Sequence, residues 1–160
     1  MDLDGTMWDN LDISAVPLPY LPDGEGQIAN PSGVRVKAFP EAVSFVKWAR
    51  ASGATTATLS WNERKNALEA LKRLDLEYLF DYDGIDPEPD KFNRAIRIMR
   101  EIRSRGTAIA PERVVYVDDR DIHLEDMYRH VGKILFIHIW KEIRNFDAAK
   151  RLISVSLVLG

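Results

Sequence analysis

The sequence has no cysteine in 160 residues. A disulfide scaffold, thiol catalysis and thiolate metal sites are thereby excluded, and a reducing cytoplasm is the compartment that fits. Long hydrophobic runs are missing as well. The stretch 134–140, interrupted by His138, is far shorter than the roughly 20 residues that cross a bilayer, so a soluble chain with no membrane partner is expected. No secretory signal is expected to begin at Met1-Asp2-Leu3-Asp4, where two acids stand in place of a basic start and an apolar core. Excess positive charge is the third absence. Lys and Arg number 22 against 25 Asp and Glu, a net charge of −3, so no global field draws the chain to nucleic acid. Any phosphate chemistry has to come from a local site.

What is present is 46% hydrophobic and 29% charged positions, the balance of one domain spanning residues 1–160. A chain of this length buries roughly two-thirds of the surface its unfolded form exposes and needs no cross-link to hold its core. Short apolar runs of β type alternate with helical runs, the pattern of a parallel sheet covered by helices. The spacing predicts a helix from Pro40 with Val43, Val46 and Ala49 on its apolar face and Gly53 as its stop. Further helices are predicted over 63–74, 90–103, 122–131 and 146–157, the one at 90–103 burying Phe92, Ile96, Met99 and Ile102. Strands are expected at 55–59, 78–82, 114–117 and 134–139. Residues 10–38, rich in proline and glycine, read as a long loop with at most a hairpin, a flap over a site. The fold class that results is α/β: a doubly wound, Rossmann-like parallel sheet with helices on both faces and no large cap. Its ligand crevice lies beyond the carboxyl ends of the strands.

Polar residues fall where those strands end: Asp2 and Asp4, Ser60, and Asp118 with Asp119. Asp2 and Asp4 are two apart, so on a strand both face one way while Leu3 faces the other. Gly5 lets the chain turn sharply after them. Carboxylates converging with Asp118 repel one another unless a hard cation joins them, and magnesium is the expected ion. Lys91, after Pro87 and Pro89 at a helix start, is placed to offer positive charge to an anion bound there.

Taken in order, Asp2-Leu3-Asp4-Gly5-Thr6, Ser60, Lys91 and Asp118-Asp119 resemble the four motifs of the haloacid dehalogenase-like phosphohydrolases. Within that superfamily the chain is similar to the magnesium-dependent phosphatase group through Asp4-Gly5-Thr6-Met7-Trp8, residues 36–40 and Phe136-Ile137-His138-Ile139. The resemblance covers essentially the whole chain. It implies a magnesium-dependent phosphatase acting on phosphate monoesters of the phosphotyrosine or sugar-phosphate type, on a small molecule or a protein, through an aspartyl-phosphate. Asp2 is then the nucleophile and Asp4 the general acid and base. Ser60 and the backbone amides after it, from Trp61 on, hold the phosphate oxygens, and Lys91 stabilises both the nucleophile and the charge on the transferring group. The resemblance implies that Mg2+ is held by Asp118 with the Asp2 side chain and the Asp4 carbonyl, Asp119 being a further ligand or an orienting acid.

The chain departs from the group at two places. Trp61 stands where the group commonly has a phosphate-binding Arg, and its indole either stacks on an aromatic or sugar leaving group or covers the crevice. Met1 directly precedes Asp2, where the group has an apolar strand of several residues. Ordinary structural roles run alongside. Ser60 and Glu63 have capping-box spacing, Asp121 is expected to cap the next helix, and Trp8, Trp48 and Trp140 are expected to pack. Arg94, Arg97, Arg100, Arg103 and Arg105 are expected to form one solvated basic face. Two other functions share parts of the pattern. A phosphoacceptor domain of the receiver type also combines acids, a hydroxyl and a Lys, but places its acid pair first in the chain; a non-catalytic interaction module needs none of the chemistry. The short first strand carries the expectation that the natural chain starts a few residues upstream. Intact-mass measurement of protein from its native source tests this, a mass equal to residues 1–160 being the contrary result.

Overall fold

A computed structural model of the protein describes residues 1–158. After a buried turn at 4–8 and a short 3-10 turn at Ile13–Ala15, the chain forms an antiparallel meander: β1 (Leu21–Pro22), β2 (Gln27–Ala29) and β3 (Arg35–Lys37). The α/β part follows as α1 (Pro40–Ala51), β4 (Ser60–Trp61), α2 (Arg64–Arg73), β5 (Ile85–Asp86), α3 (Lys91–Ser104), β6 (Val115–Asp118), α4 (Leu124–His130), β7 (Leu135–His138) and α5 (Phe146–Val158). Strands β4 and β5 pair in parallel, as do β6 and β7. Residues 1 and 2 lie between the two pairs. The amide of Asp2 donates to Val117 O at 2.9 Å, and Leu59 N donates to Met1 O at 2.7 Å. All of these strands therefore send their carboxyl ends to one edge.

Strand alternation sorts the core into two clusters. Val117 packs with Leu3, Ile137 and the inward residues of α1, α2 and α5, among them Phe45, Ala67 and Phe146. Its neighbour Tyr116 faces the other way, onto Leu59, Ala95, Met127 and Ile134, where α3 and α4 lie. Helices thus cover both faces, as the apolar runs predict. Pro40 opens α1 at a position where its missing N–H costs nothing, and Ala42, Phe45 and Val46 form its buried stripe.

Four local expectations are corrected. Residues 10–38 are an ordered three-stranded meander, and Ile13, Val16, Tyr20, Ile28 and Val36 enter the main core. Proline and glycine here shape the turns of the meander. The expected 78–82 strand is a 3-10 turn at Glu77–Leu79 followed by a single parallel bridge of Tyr82 to Ala57, and the longer pairing comes further on, at Ile85 and Asp86. The inward face of α3 is Lys91, Arg94, Ala95, Ile98 and Ile102, rotated from the expected one because Lys91 is drawn inward. Neither predicted cap forms: Glu63 and His123 precede α2 and α4 without a side-chain cap bond. Ser60 instead lies inside a strand, and Ser14 Oγ accepts from the Glu63 amide at 2.8 Å.

Gly84, just ahead of β5, lies hard against the backbone of Thr58, just ahead of β4. A Cβ there would stand 2.5 Å from the backbone oxygen of Thr58, which cannot move without breaking the pairing. We expect Gly84→Ala to lower stability by about 1–3 kcal/mol, read by chemical denaturation. Unchanged stability would mean that the two segments separate freely.

Candidate active site

The carboxyl edge of the sheet gathers the chemistry. Lys91, at the first turn of α3, is fully buried and its Nζ lies 2.9 Å from Asp2 Oδ1 and 2.7 Å from Asp118 Oδ2. Asp2 is equally buried, and its Oδ2 receives no hydrogen bond. Asp118 is better supported: it accepts from Lys91, from the Tyr116 hydroxyl and from the Arg120 amide. The two acids consequently differ. Burial raises the pKa of Asp2, with Lys91 opposing and Asp118 adding to the rise. Burial pushes Asp118 the same way, but Lys91 and Tyr116 outweigh it and hold that carboxyl below its usual range.

Asp119 completes a triangle. One carboxylate oxygen each from Asp2, Asp118 and Asp119 lie within 4.8 Å of one another. Asp119 is clamped by Thr6, whose Oγ1 accepts from the Asp119 amide at 3.0 Å and donates to Asp119 Oδ1 at 3.2 Å. Gly5 is required beside it: φ is +63°, and a Cβ would stand 2.7 Å from Asp119 Oδ2. His138 Nε2 lies 3.1 Å from Asp119 O, and since a carbonyl only accepts, that nitrogen carries hydrogen. Three carboxylates against one ammonium leave negative charge unbalanced in a buried pocket. An all-oxygen donor set with an orphaned Asp2 oxygen suits a hard divalent cation such as Mg2+.

The Asp4 carboxylate is not one of the three clustered acids and is held by other donors, though the charge of Asp2 reaches it. It accepts from Trp8 Nε1 at 2.7 Å and from the Ile13 amide at 3.2 Å. Burial is the main cause that lifts its pKa to about 6, with Trp8 and Asn62 opposing. Trp8 is thus more than the packing residue the sequence implied. Ser60 is fully buried at the start of β4 and accepts from Asn62 Nδ2 at 2.9 Å. The amides of Asn62 and Glu63 are engaged by Asp86 O and Ser14 Oγ. The Trp61 amide points, by strand alternation, away from β5 and toward residues 1–4. Its indole is 41% exposed, anchored through Nε1 to Pro87 O at 2.8 Å and set edge-on to His123 at 5.9 Å. An apolar cavity of about 350 Å3 lined by Ala57, Ile98, Ile102 and Val115 lies toward the opposite strand ends and offers no such chemistry.

The structure adds Tyr116, Thr6, Asn62 and His123 to the residues around the site. Tyr116 was within reach of pattern reasoning, standing two before Asp118 on the same side of a strand. The others are brought in by turns whose path the sequence does not state.

No protein-family model matches the chain, and no curated protein matches it. Solved structures do. A haloacid dehalogenase-superfamily hydrolase from Ehrlichia chaffeensis aligns with a TM-score of 0.58 at 13% identity, over 76% of this chain and 60% of that one. The N-terminal part of a Bacteroides fragilis protein, containing a phosphatase domain and complexed with Mg, aligns at 0.60 and 18% identity over 98% of this chain and 38% of that one. A haloacid dehalogenase-like hydrolase from Streptococcus pneumoniae aligns at 0.55 and 15% identity over 75% of this chain and 60% of that one. The chain spans between 38% and 60% of the length of these structures. Its fold is that of the haloacid dehalogenase-like hydrolases.

Trp8→Phe removes a donor that favours ionised Asp4. The Asp4 pKa should rise further above about 6, as read by carboxyl-carbon NMR titration, and an unshifted curve would show that the indole bond does not tune this acid. If the three carboxylates hold Mg2+, Gly5→Ala should displace Asp119 and weaken that binding by about tenfold or more, measured by calorimetry; unchanged affinity would mean that Asp119 takes no part in holding the ion.

Proposed function

We propose that the protein is a Mg2+-dependent phosphatase that hydrolyses phosphate monoesters through a phosphorylated Asp2. The observation that carries this reading is the buried Asp2 carboxylate with one oxygen unpartnered, held beside Lys91 and grouped with Asp118 and Asp119 at the sheet's carboxyl edge. The likeness to a Mg-complexed phosphatase domain agrees with it.

In this mechanism an Asp2 oxygen attacks phosphorus, the P–O bond to the alcohol breaks, and the acyl-phosphate forms. Asp4, whose pKa near 6 keeps part of it protonated close to neutrality, gives its proton to the departing oxygen. The same carboxylate then takes a proton from water as the water attacks the phosphorus of phospho-Asp2, releasing phosphate and restoring both acids. Lys91 holds Asp2 in line and offsets charge on the transferring group, while the Ser60 hydroxyl and the Trp61 amide donate to its oxygens. Asp2, Asp118 and Asp119, with the Asp4 carbonyl, would hold Mg2+, which supplies charge neutralisation at the phosphoryl oxygens.

A screen of aryl and sugar phosphates with and without Mg2+ tests the reading. Asp2→Asn should lower kcat by at least about 10^3-fold; equal rates for variant and wild type would sink the mechanism. A stable phosphoprotein with no turnover would point instead to a phosphoacceptor of the receiver type. Independently of substrate, saturating Mg2+ should stabilise the wild type by about 2–3 kcal/mol at a hundredfold excess over Kd, and Asp118→Asn should abolish that gain in a thermal melt.

A further inference from the structure

Arg94 does not join the solvated arginine face that α3 presents. It is 5% exposed and follows Lys91 by three residues on the same side of the helix. The charge of Lys91 is matched twice, by Asp2 and Asp118. Arg94 makes no ion pair among the described residues. Its Nη1 donates to Glu88 O at 2.8 Å, while Nε and Nη2 are buried with no acceptor. A guanidinium stays protonated in proteins, and leaving two of its nitrogens dry and unmatched is costly.

A second orphan stands just ahead of α4, which shares an apolar cluster with α3. His123 Nε2 is buried without a partner, and the ring meets the edge of Trp61. Burial first, and then the positive charge of Lys91, Arg120 and Arg94, pushes His123 down to about 4, with Asp118 opposing. Its ring is therefore neutral near pH 7, with one N–H to donate. Trp61 bonds Pro87 O and Arg94 bonds Glu88 O, so both side chains are tied to the segment that leads into Lys91. Carboxylates do stand near Arg94, at Asp86 and Asp90, but neither pairs with it.

We propose that Arg94 and His123 form an anion-binding recess beside Lys91 that receives a second anionic group, carboxylate or phosphate, carried by the phosphorylated substrate. Such a group offers paired acceptors to the planar guanidinium and one to the imidazole N–H. A water molecule supplies acceptors but leaves the charge unmatched. The substrate class narrows accordingly, from phosphate monoesters in general to doubly anionic ones such as phosphorylated hydroxy acids or bisphosphates. This inference rests on the phosphatase reading for the first phosphate and on the unpartnered Arg94 and His123 for the second anion.

The test compares glycerol 3-phosphate, 3-phosphoglycerate and propane-1,3-diol bisphosphate as ligands of an Asp4→Asn variant in Mg2+, by calorimetry. One of the two doubly anionic compounds should bind at least about tenfold tighter than glycerol 3-phosphate, and which one does so identifies the anion. Adding Arg94→Gln should erase that preference, and His123→Phe, which keeps a ring against Trp61, should reduce it. Equal binding of all three compounds would mean that the recess holds water only and would overturn the proposal. Malonate, which carries no phosphate ester, probes the recess by itself: it should raise the Tm of the wild type and not that of Arg94→Gln. An intact malonate response with no ester turned over by the wild type would count against the phosphatase reading and leave the recess standing. Turnover without preference and without a malonate response would do the reverse.

Discussion

The contact on which the site depends is the Lys91 ammonium held between Asp2 and Asp118 with no access to water. A buried ammonium is tolerated only when its charge is answered, and here the answer comes from residues at the ends of two different strand segments. The same contact ties the start of α3 to residues 1–4 and to β6, and it draws Lys91 into the face of the helix that packs on the sheet. The rotation of α3 away from its expected apolar stripe, and with it the burial of Arg94, follows from this one electrostatic requirement.

A second layer of bonds fixes the acids in different states. Asp118 is surrounded by donors and kept ionised, Asp2 is left with an unpartnered oxygen, and Asp4 is held by Trp8 and lifted toward neutrality. Similar side chains at one sheet edge thereby acquire different chemical character, set by which neighbours donate to them. The antiparallel meander contributes to this order. Its Ser14 bonds Asn62 and Glu63, and Asn66 of α2 donates to Val16 O and Tyr20 Oη. The insertion and the α/β body share one core.

Much of the architecture was legible because it rests on local periodicity. Alternating apolar runs reported the sheet and its helices, and Asp118-Asp119 announced itself as a break at the end of the apolar run Val114–Val117. What local pattern could not report were cases where a distant partner decides. Ser60 and Glu63 have the spacing of a cap, yet β-pairing with the segment ending in β5 holds Ser60 in a strand. Arg94 sits in an arginine series, and only the inward pull on Lys91 one turn earlier separates it from Arg97 and Arg100. Residues 10–38 look irregular because their strands are two or three residues long and are held by pairing, with little help from a periodic apolar pattern.

The sequence by itself determined the class of fold, the order of polar residues along the chain and the absence of thiol chemistry, since composition and hydrophobic period act through neighbours in the chain. The tertiary structure decided which carboxylates share a pocket, which is left without a donor, and which cations are matched. Those outcomes depend on distances between residues far apart in sequence and on the loss of water around them, which makes each unmatched charge or hydrogen bond count. Asp2 and Arg94 show the difference most clearly: the sequence presents an acid near the chain's start and one arginine among several, and only burial leaves each of them with polar atoms that no protein group satisfies.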